Sequence, residues 1–149
     1  MSTSTNGASI RNIAIVGHAG AGKTTLAEGI AFAAGAINRR GTIQEGSTLS
    51  DYHPDETARK HSINTSLISL NSGGIKINIL DAPGYSDFTG EVRSALHVAD
   101  TAMIVVDAQH GVEAGTMQAW EFCEYDQNSI IFLISKLDHV ESNYDRTLE

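Results

Sequence analysis

The sequence contains little cysteine and no long apolar run. Cys123 is the only cysteine among 149 residues, so no internal disulfide can form, which fits a reducing compartment such as the cytoplasm. No apolar run approaches the ~20 residues that span a bilayer, so no membrane partner is expected. The first seven residues are polar and uncharged, unlike a signal or transit peptide. Residues 1–10 are therefore predicted to form a flexible tail.

Basic residues are also scarce. Ten Lys and Arg side chains face eighteen Asp and Glu side chains, which gives a formal net charge of −8. This balance argues against a general nucleic-acid-binding surface. The length and the 41% hydrophobic content suit one domain with one core.

Strand-like and helix-like segments alternate along the chain. Strands are predicted at residues 12–16, 62–70, 75–80, 101–106 and 130–134. Helices are predicted at residues 23–35, 89–98, 112–125 and 142–149. Residues 71–74, Asn-Ser-Gly-Gly, indicate a turn that joins two strands into an antiparallel hairpin. The order predicts an α/β fold with a mainly parallel sheet, one antiparallel hairpin strand and helices on both faces.

The third predicted helix carries four residues near one face. We expect Val112, Met117, Trp120 and Cys123 to belong to the core.

A glycine-rich segment follows the first predicted strand and opens the first helix. Its spacing, G-x-x-x-x-G-K-T, is that of a phosphate-binding loop, although a glycine-rich turn with a chance lysine is the alternative. The loop amides and the helix dipole favour an anion. Lys23 is expected to reach the β- and γ-phosphates, and the Thr24 hydroxyl to bind Mg²⁺. The predicted phosphate-binding residues are Gly17, His18, Ala19, Gly20, Ala21, Gly22, Lys23, Thr24 and Thr25.

Two shorter motifs follow later strands. In the first, a D-x-P-G turn, Asp81 can hold Mg²⁺ and the Gly84 N–H can bond a γ-phosphate. In the second, Asp138 can accept two hydrogen bonds from guanine that adenine cannot offer, with the stem of Lys136 over the ring. The predicted nucleotide contacts of the two motifs are Asp81, Ala82, Pro83, Gly84, Tyr85, Ser135, Lys136, Leu137 and Asp138.

Taken in order, these motifs resemble translational GTPases, above all elongation factor G and its elongation factor G-like relatives. The resemblance covers about residues 11–149 and implies a P-loop, Ras-like GTP-binding domain, here its incomplete amino-terminal part. It implies switch I at about 36–62, switch II at about 81–98, GTP or GDP with Mg²⁺ as ligands, and the ribosome as partner of the full-length parent. By resemblance, the metal residues are Thr24, Ser62 and Asp81, and the catalytic residues are Lys23, Gly84 and Tyr85.

The chain departs from the family pattern at the base and metal positions. Ser135 replaces an asparagine, and we expect the smaller side chain to lose contacts to the base and to the phosphate loop. Nucleotide binding should then be weaker, with the guanine preference kept by Asp138. Ser62 replaces a threonine and keeps its hydroxyl, whereas Gly20 replaces an aspartate.

Further departures fall in the two switch regions. Tyr85 replaces the family histidine that positions the attacking water. Lys60 and His61 replace a glycine and a hydrophobic gate residue. His61 is either a substitute for the lost histidine or an exposed side chain in a mobile loop.

Three functions remain open from the sequence. The first is GTP binding with hydrolysis. The second is a non-hydrolysing guanine-nucleotide switch or an inactive fragment, and the third is a P-loop ATPase, against which Asp138 argues. The family domain continues with another strand and helix, so an uncovered sheet edge is expected here.

Overall fold

The structure is a computed structural model that describes residues 7–149. Within this range the strands are β1 (Ile10–Val16), β2 (Ser66–Ser72), β3 (Ile75–Asp81), β4 (Thr101–Asp107) and β5 (Ser129–Ser135). The helices are α1 (Lys23–Ala33), α2 (Pro54–Arg59), α3 (Thr89–Val98), α4 (Ala114–Asp126) and α5 (Tyr144–Leu148). Two short 3-10 turns lie at Gly7–Ser9 and Ser86–Phe88.

The strands form one sheet in the order β2-β3-β1-β4-β5. β1 runs parallel to β3 and β4, β4 runs parallel to β5, and β2 is antiparallel to β3. The mainly parallel sheet with one antiparallel hairpin strand is therefore confirmed. Because parallel strands end at the same edge, the loops after β1, β3 and β5 open on one side of the sheet.

The core has two parts, one on each face of the sheet. On one face α3 and α4 cover Ala14 and Val16 of β1, and on the other α1 covers Ile15. Alternate residues of a strand point to opposite faces, so β1 serves both parts. Helices on both faces are confirmed.

Some of the strand boundaries in the structure differ from the predicted ones. β1 begins at Ile10, inside the predicted tail, and residues 1–6 of that tail lie outside the described residues. β2 begins at Ser66 instead of residue 62. The N–H groups of Ile63 and Asn64 donate to the Glu56 carboxylate instead of to a neighbouring strand. The hairpin turn is narrower than predicted, with Gly73 and Gly74 at φ 56° and 81°.

The prediction that Val112, Met117, Trp120 and Cys123 belong to the core is wrong for three of the four, and Val112 lies before the start of α4. Val112, Met117 and Trp120 are 60%, 54% and 38% exposed, whereas Cys123 is buried. The helix instead turns the small residues Thr116 and Ala119 inward beside Cys123. Small side chains let the helix approach the sheet closely, which leaves the larger ones at its flank.

The sheet ends at β5 in the described part of the chain. Ile131 and Phe132 on this edge are 51% and 53% exposed. Trp120 of α4 stacks on Phe132, with ring centroids 5.5 Å apart. Among residues 7–149, no helix has both the length and the apolar composition to cross a membrane.

Candidate nucleotide-binding site

The glycine loop occupies the connection between β1 and α1. Gly17, Gly20 and Gly22 have φ values of +137°, +78° and +93°, which side-chain-bearing residues rarely adopt. A Cβ on Gly17 would also lie 2.5 Å from the Val105 carbonyl oxygen. The glycines therefore let the chain curl tightly over β4. The helix that follows adds unpaired first-turn amides and a positive dipole end, which together favour an anion.

Lys23, the first residue of α1, lies inside the curled loop. Its ammonium donates to the Gly17 carbonyl (3.1 Å) and the His18 carbonyl (2.8 Å) and is almost fully buried. Burial lowers the pKa of Lys23 to about 8, although the Asp81 and Asp51 carboxylates oppose this shift. A Cβ on Gly84 would collide with the Lys23 Nζ atom. The D-x-P-G turn thus packs directly against the loop lysine.

A cluster of oxygen atoms lies beside the loop. The Thr24 and Ser62 hydroxyl oxygens are 3.2 Å apart, and Ser62 donates to Asp51 Oδ1 at 2.7 Å. Both carboxylate oxygens of Asp81 and Oδ2 of Asp51 are buried without a hydrogen-bond partner among residues 7–149. Buried, unpaired carboxylate oxygens are costly, and Mg²⁺ prefers oxygen ligands of this kind. The side chains present therefore fit a divalent cation.

The pKa values of the two carboxyl groups in this cluster reflect the same cost of burial. Burial raises the pKa of Asp81 to about 6, opposed by the nearby Ser50 and Thr24 hydroxyls and by the Lys23 ammonium. Burial likewise raises the pKa of Asp51, opposed first by the hydrogen bond from Ser62. A bound cation would favour the ionised form of both carboxylates.

Asp51 is a site residue that the sequence analysis missed. It lies in the long segment between α1 and β2, where no spacing rule links it to Thr24 or Asp81. Its only signal in the sequence is a carboxylate inside the proposed switch I, three residues before a proline.

Residues from the segment before β2 and from the turn after β3 meet beside the glycine loop. Lys60 has φ 58°, a left-handed conformation in which it caps α2. The next residue, His61, packs its ring on Tyr85, with centroids 4.6 Å apart. These three residues line a cavity of about 300 Å³ together with Ala19, Gly20, Gly22, Lys23, Thr24, Thr25, Ser62, Gly84 and Lys136.

Residues 135–138, at and after the end of β5, lie next to this cavity. Asp138 and Lys136 line a further space of about 460 Å³ with Gly22, Thr25 and Arg40. The Lys136 ammonium is held at 2.6 Å by Asp107, which leaves the aliphatic stem beside the space. Leu137 does not line this space, and its side chain is exposed.

The expectation that Ser135 loses contact with the phosphate loop is wrong. Its hydroxyl donates to the Ala21 carbonyl at 2.7 Å and approaches the Val106 carbonyl at 3.2 Å. The contact forms because β5 ends directly beside the loop, so a short side chain reaches it. The other predicted loss, of contacts to the base, stays a prediction.

Several predicted residues support the site without lining the main cavity. Asp81 and Ala82 are fully buried behind it, and Pro83 packs toward α3 and α4. The His18 ring turns to α4, where it accepts the Gly115 N–H at 3.2 Å. His18 and Gly17 therefore contribute carbonyl oxygens, as Lys23 partners, rather than side chains.

The fold and site together define a P-loop nucleotide-binding domain. Residues 8–149 match the family described as Elongation factor Tu GTP binding domain, and the chain belongs to that family. It is 40% identical over 139 residues to an elongation factor G-like protein of Mycobacterium tuberculosis, covering 93% of this chain and 20% of that protein. It is 37% identical over 140 residues to a mitochondrial ribosome-releasing factor 2 of Drosophila willistoni, covering 94% and 19% respectively.

Two solved structures share the fold of this chain. A crystal structure of a Thermus thermophilus protein is 42% identical, with a TM-score of 0.90, covering 95% of this chain and 21% of that one. The elongation factor SelB of Methanococcus maripaludis, solved with the GTP analogue GppNHp, is 25% identical with a TM-score of 0.65, covering 93% and 24%. The chain thus spans about a fifth of the length of the curated relatives.

Proposed function

We propose that this chain binds GTP and GDP with Mg²⁺ as the amino-terminal part of the GTP-binding domain of an elongation factor G-like translational GTPase. One observation carries the proposal. The glycine loop, the D-x-P-G turn and the guanine motif follow β1, β3 and β5, and they converge around Lys23 at one sheet edge.

Each part of the site has a role in this proposal. Residues 17–25 hold the phosphates, with the Lys23 ammonium against the β- and γ-phosphates. Asp138 selects guanine, because another base would leave its carboxylate unpaired. Thr24, Ser62 and Asp81 hold the metal, and Asp51 orients Ser62 through their hydrogen bond. Bound Mg²⁺ would offset phosphate charge.

The reaction class is hydrolysis of GTP by in-line attack of water. Lys23 and the loop amides stabilise charge on the phosphate that is transferred, and the Gly84 N–H binds the terminal phosphate. In the full-length parent, residues 36–62 and 81–98 act as the two switches, the ribosome is the partner, and the cytoplasm is the compartment.

Calorimetric titration with GDP and with ADP, each with Mg²⁺, tests the binding part. The chain should bind GDP and exclude ADP. Lys23→Ala should abolish binding, and Asp138→Ala should weaken GDP binding by at least about tenfold, because a charge-assisted hydrogen bond contributes roughly 1.5–3 kcal/mol. His97→Ala, at an exposed position on α3, is the control.

An unchanged GDP affinity in Lys23→Ala would contradict the assignment of the loop. Tighter binding of ADP than of GDP would instead favour the P-loop ATPase. Binding of GTP without any phosphate release would favour the non-hydrolysing switch.

A further inference from the structure

The contact between the two switches contains an imidazole whose second ring nitrogen has no hydrogen-bond partner among residues 7–149. We propose that His61, from switch I, holds the attacking water through its Nε2 atom, and that Tyr85 serves as the surface on which the His61 ring rests. This inference rests on the proposed GTP hydrolysis and assigns a residue to its water-binding step.

The hydrogen bond of the His61 ring sets its tautomer. The Nδ1 atom lies 3.3 Å from the Ser62 carbonyl oxygen. A carbonyl oxygen only accepts, so Nδ1 carries the hydrogen and donates. In the neutral ring, Nε2 is then the unprotonated nitrogen, an acceptor. Nε2 makes no hydrogen bond within residues 7–149.

This tautomer is the one that positioning of the water requires. A water molecule that attacks phosphorus must direct a lone pair at the phosphate and an O–H bond away from it. An acceptor beside the water fixes that orientation. Tyr85 has a hydroxyl that can also accept, but Tyr85 is 48% exposed and His61 is less exposed.

The surroundings hold the ring over the cavity. The His61 ring packs on Tyr85 at 4.6 Å and approaches Phe88 at 6.3 Å. Its neighbours in sequence are fixed as well, because Lys60 caps α2 and Ser62 is bonded to Asp51. His61, Tyr85, Gly84 and Lys23 all line the same cavity.

The competing explanation is that His61 only packs against Tyr85. The two explanations separate at His61→Phe, which keeps an aromatic ring for Tyr85 but has no nitrogen. They separate again at His61→Gln, which has no ring but places an amide oxygen near the former Nε2 position. His97→Phe makes the same chemical change at an exposed position on α3 and is the matched control.

The first experiment reads the ring itself in the nucleotide-free protein. Long-range ¹H–¹⁵N spectra at pH 8 distinguish the two neutral tautomers, and the signals missing in His61→Phe assign the ring. We expect the Nδ1–H form. A predominant Nε2–H form would overturn the inference, because Nε2 would then donate rather than accept.

The second experiment measures single-turnover phosphate release with excess protein, beside the affinity for GTP and for GDP with aluminium fluoride. His61→Phe should lose at least about 100-fold in rate and bind the aluminium fluoride complex more weakly, with GTP affinity changed less than threefold. His61→Gln should recover part of the rate, and His97→Phe should match the unmodified chain.

The other outcomes count against the inference. Equal rates for His61→Phe and the unmodified chain would show a packing role alone. GTP binding without phosphate release by the unmodified chain would overturn this inference and leave the binding part of the proposed function intact. Absence of GTP binding would overturn both.

Discussion

A buried glutamate on α1 holds residues 41–49, part of the long segment between α1 and β2, and its removal should free them. Glu28 is 1% exposed. Its Oε2 accepts the Gly41 N–H at 2.8 Å, and its Oε1 accepts the Leu49 N–H. The carboxylate forms no ion pair with any residue between 7 and 149. It therefore ties both ends of residues 41–49 to α1 through backbone hydrogen bonds alone.

The size of the effect follows from these two bonds. A hydrogen bond to a charged group contributes roughly 1.5–3 kcal/mol. In Glu28→Ala both bonds are lost, but the freed N–H groups can reach water when the segment opens, so the lower figure applies to each. The segment should then lose about 3 kcal/mol of local stability, or about 150-fold in its opening equilibrium.

Native-state amide hydrogen exchange measures this directly in the nucleotide-free chain. Amides of residues 41–51 should exchange about 150-fold faster in Glu28→Ala, while those of β1 and β4 change much less. Glu28→Gln keeps one acceptor oxygen and should show a smaller acceleration. Glu124→Ala, at an exposed position on α4, is the control. Exchange at residues 41–51 within threefold of the unmodified chain would refute the reasoning.

Two further predictions concern Asp107 and Ser135, at the ends of β4 and β5. Burial raises the pKa of Asp107, but hydrogen bonds, led by that from Lys136, outweigh it and lower the pKa to about 2. A folded-state pKa below the unfolded value stabilises the fold above about pH 4, and this contribution is lost as the pH falls toward 2. Asp107→Asn should thus lower the free energy of unfolding at pH 7 by roughly 1–2 kcal/mol, as measured by urea denaturation. It should also reduce the fall of that free energy between pH 4 and pH 2. If the free energy fell as steeply as in the unmodified chain, the lowered pKa of Asp107 would be contradicted. Ser135→Ala should raise the Kd for GDP about fivefold to tenfold, since it removes a hydrogen bond of about 1 kcal/mol to the phosphate loop; an unchanged Kd in calorimetry would show that this bond does not support the loop.

Local patterns were sufficient to predict most of the fold. β4 is a run of apolar residues and β3 alternates isoleucine with polar residues, and the alternation of strand-like with helix-like segments predicted the parallel sheet. The phosphate loop was recognised because its glycines and Lys23 occupy fixed positions in sequence. These features depend on residues that are close together in the sequence, so they can be recognised from one sequence alone.

The missed features depend on residues that are distant in sequence. Glu28 and Asp51 make their contacts only when the segment before β2 folds back over α1. No periodicity in the sequence predicts that folding back. The α2 helix was missed because it has only six residues and its buried Glu56 serves the loop after it. Trp120 was assigned to the core because helical spacing does not show which flank of α4 reaches the sheet.

The departures from the family pattern are not scattered in space. Lys60, His61 and Tyr85 are separated by up to 25 residues in sequence but meet at one point of the structure. By contrast, the Thr24 and Ser62 hydroxyl oxygens lie 3.2 Å apart, as the proposed metal binding requires. The Tyr85 ring, after β3, supports the His61 imidazole, before β2, and this is the arrangement in which we propose that His61 holds the attacking water.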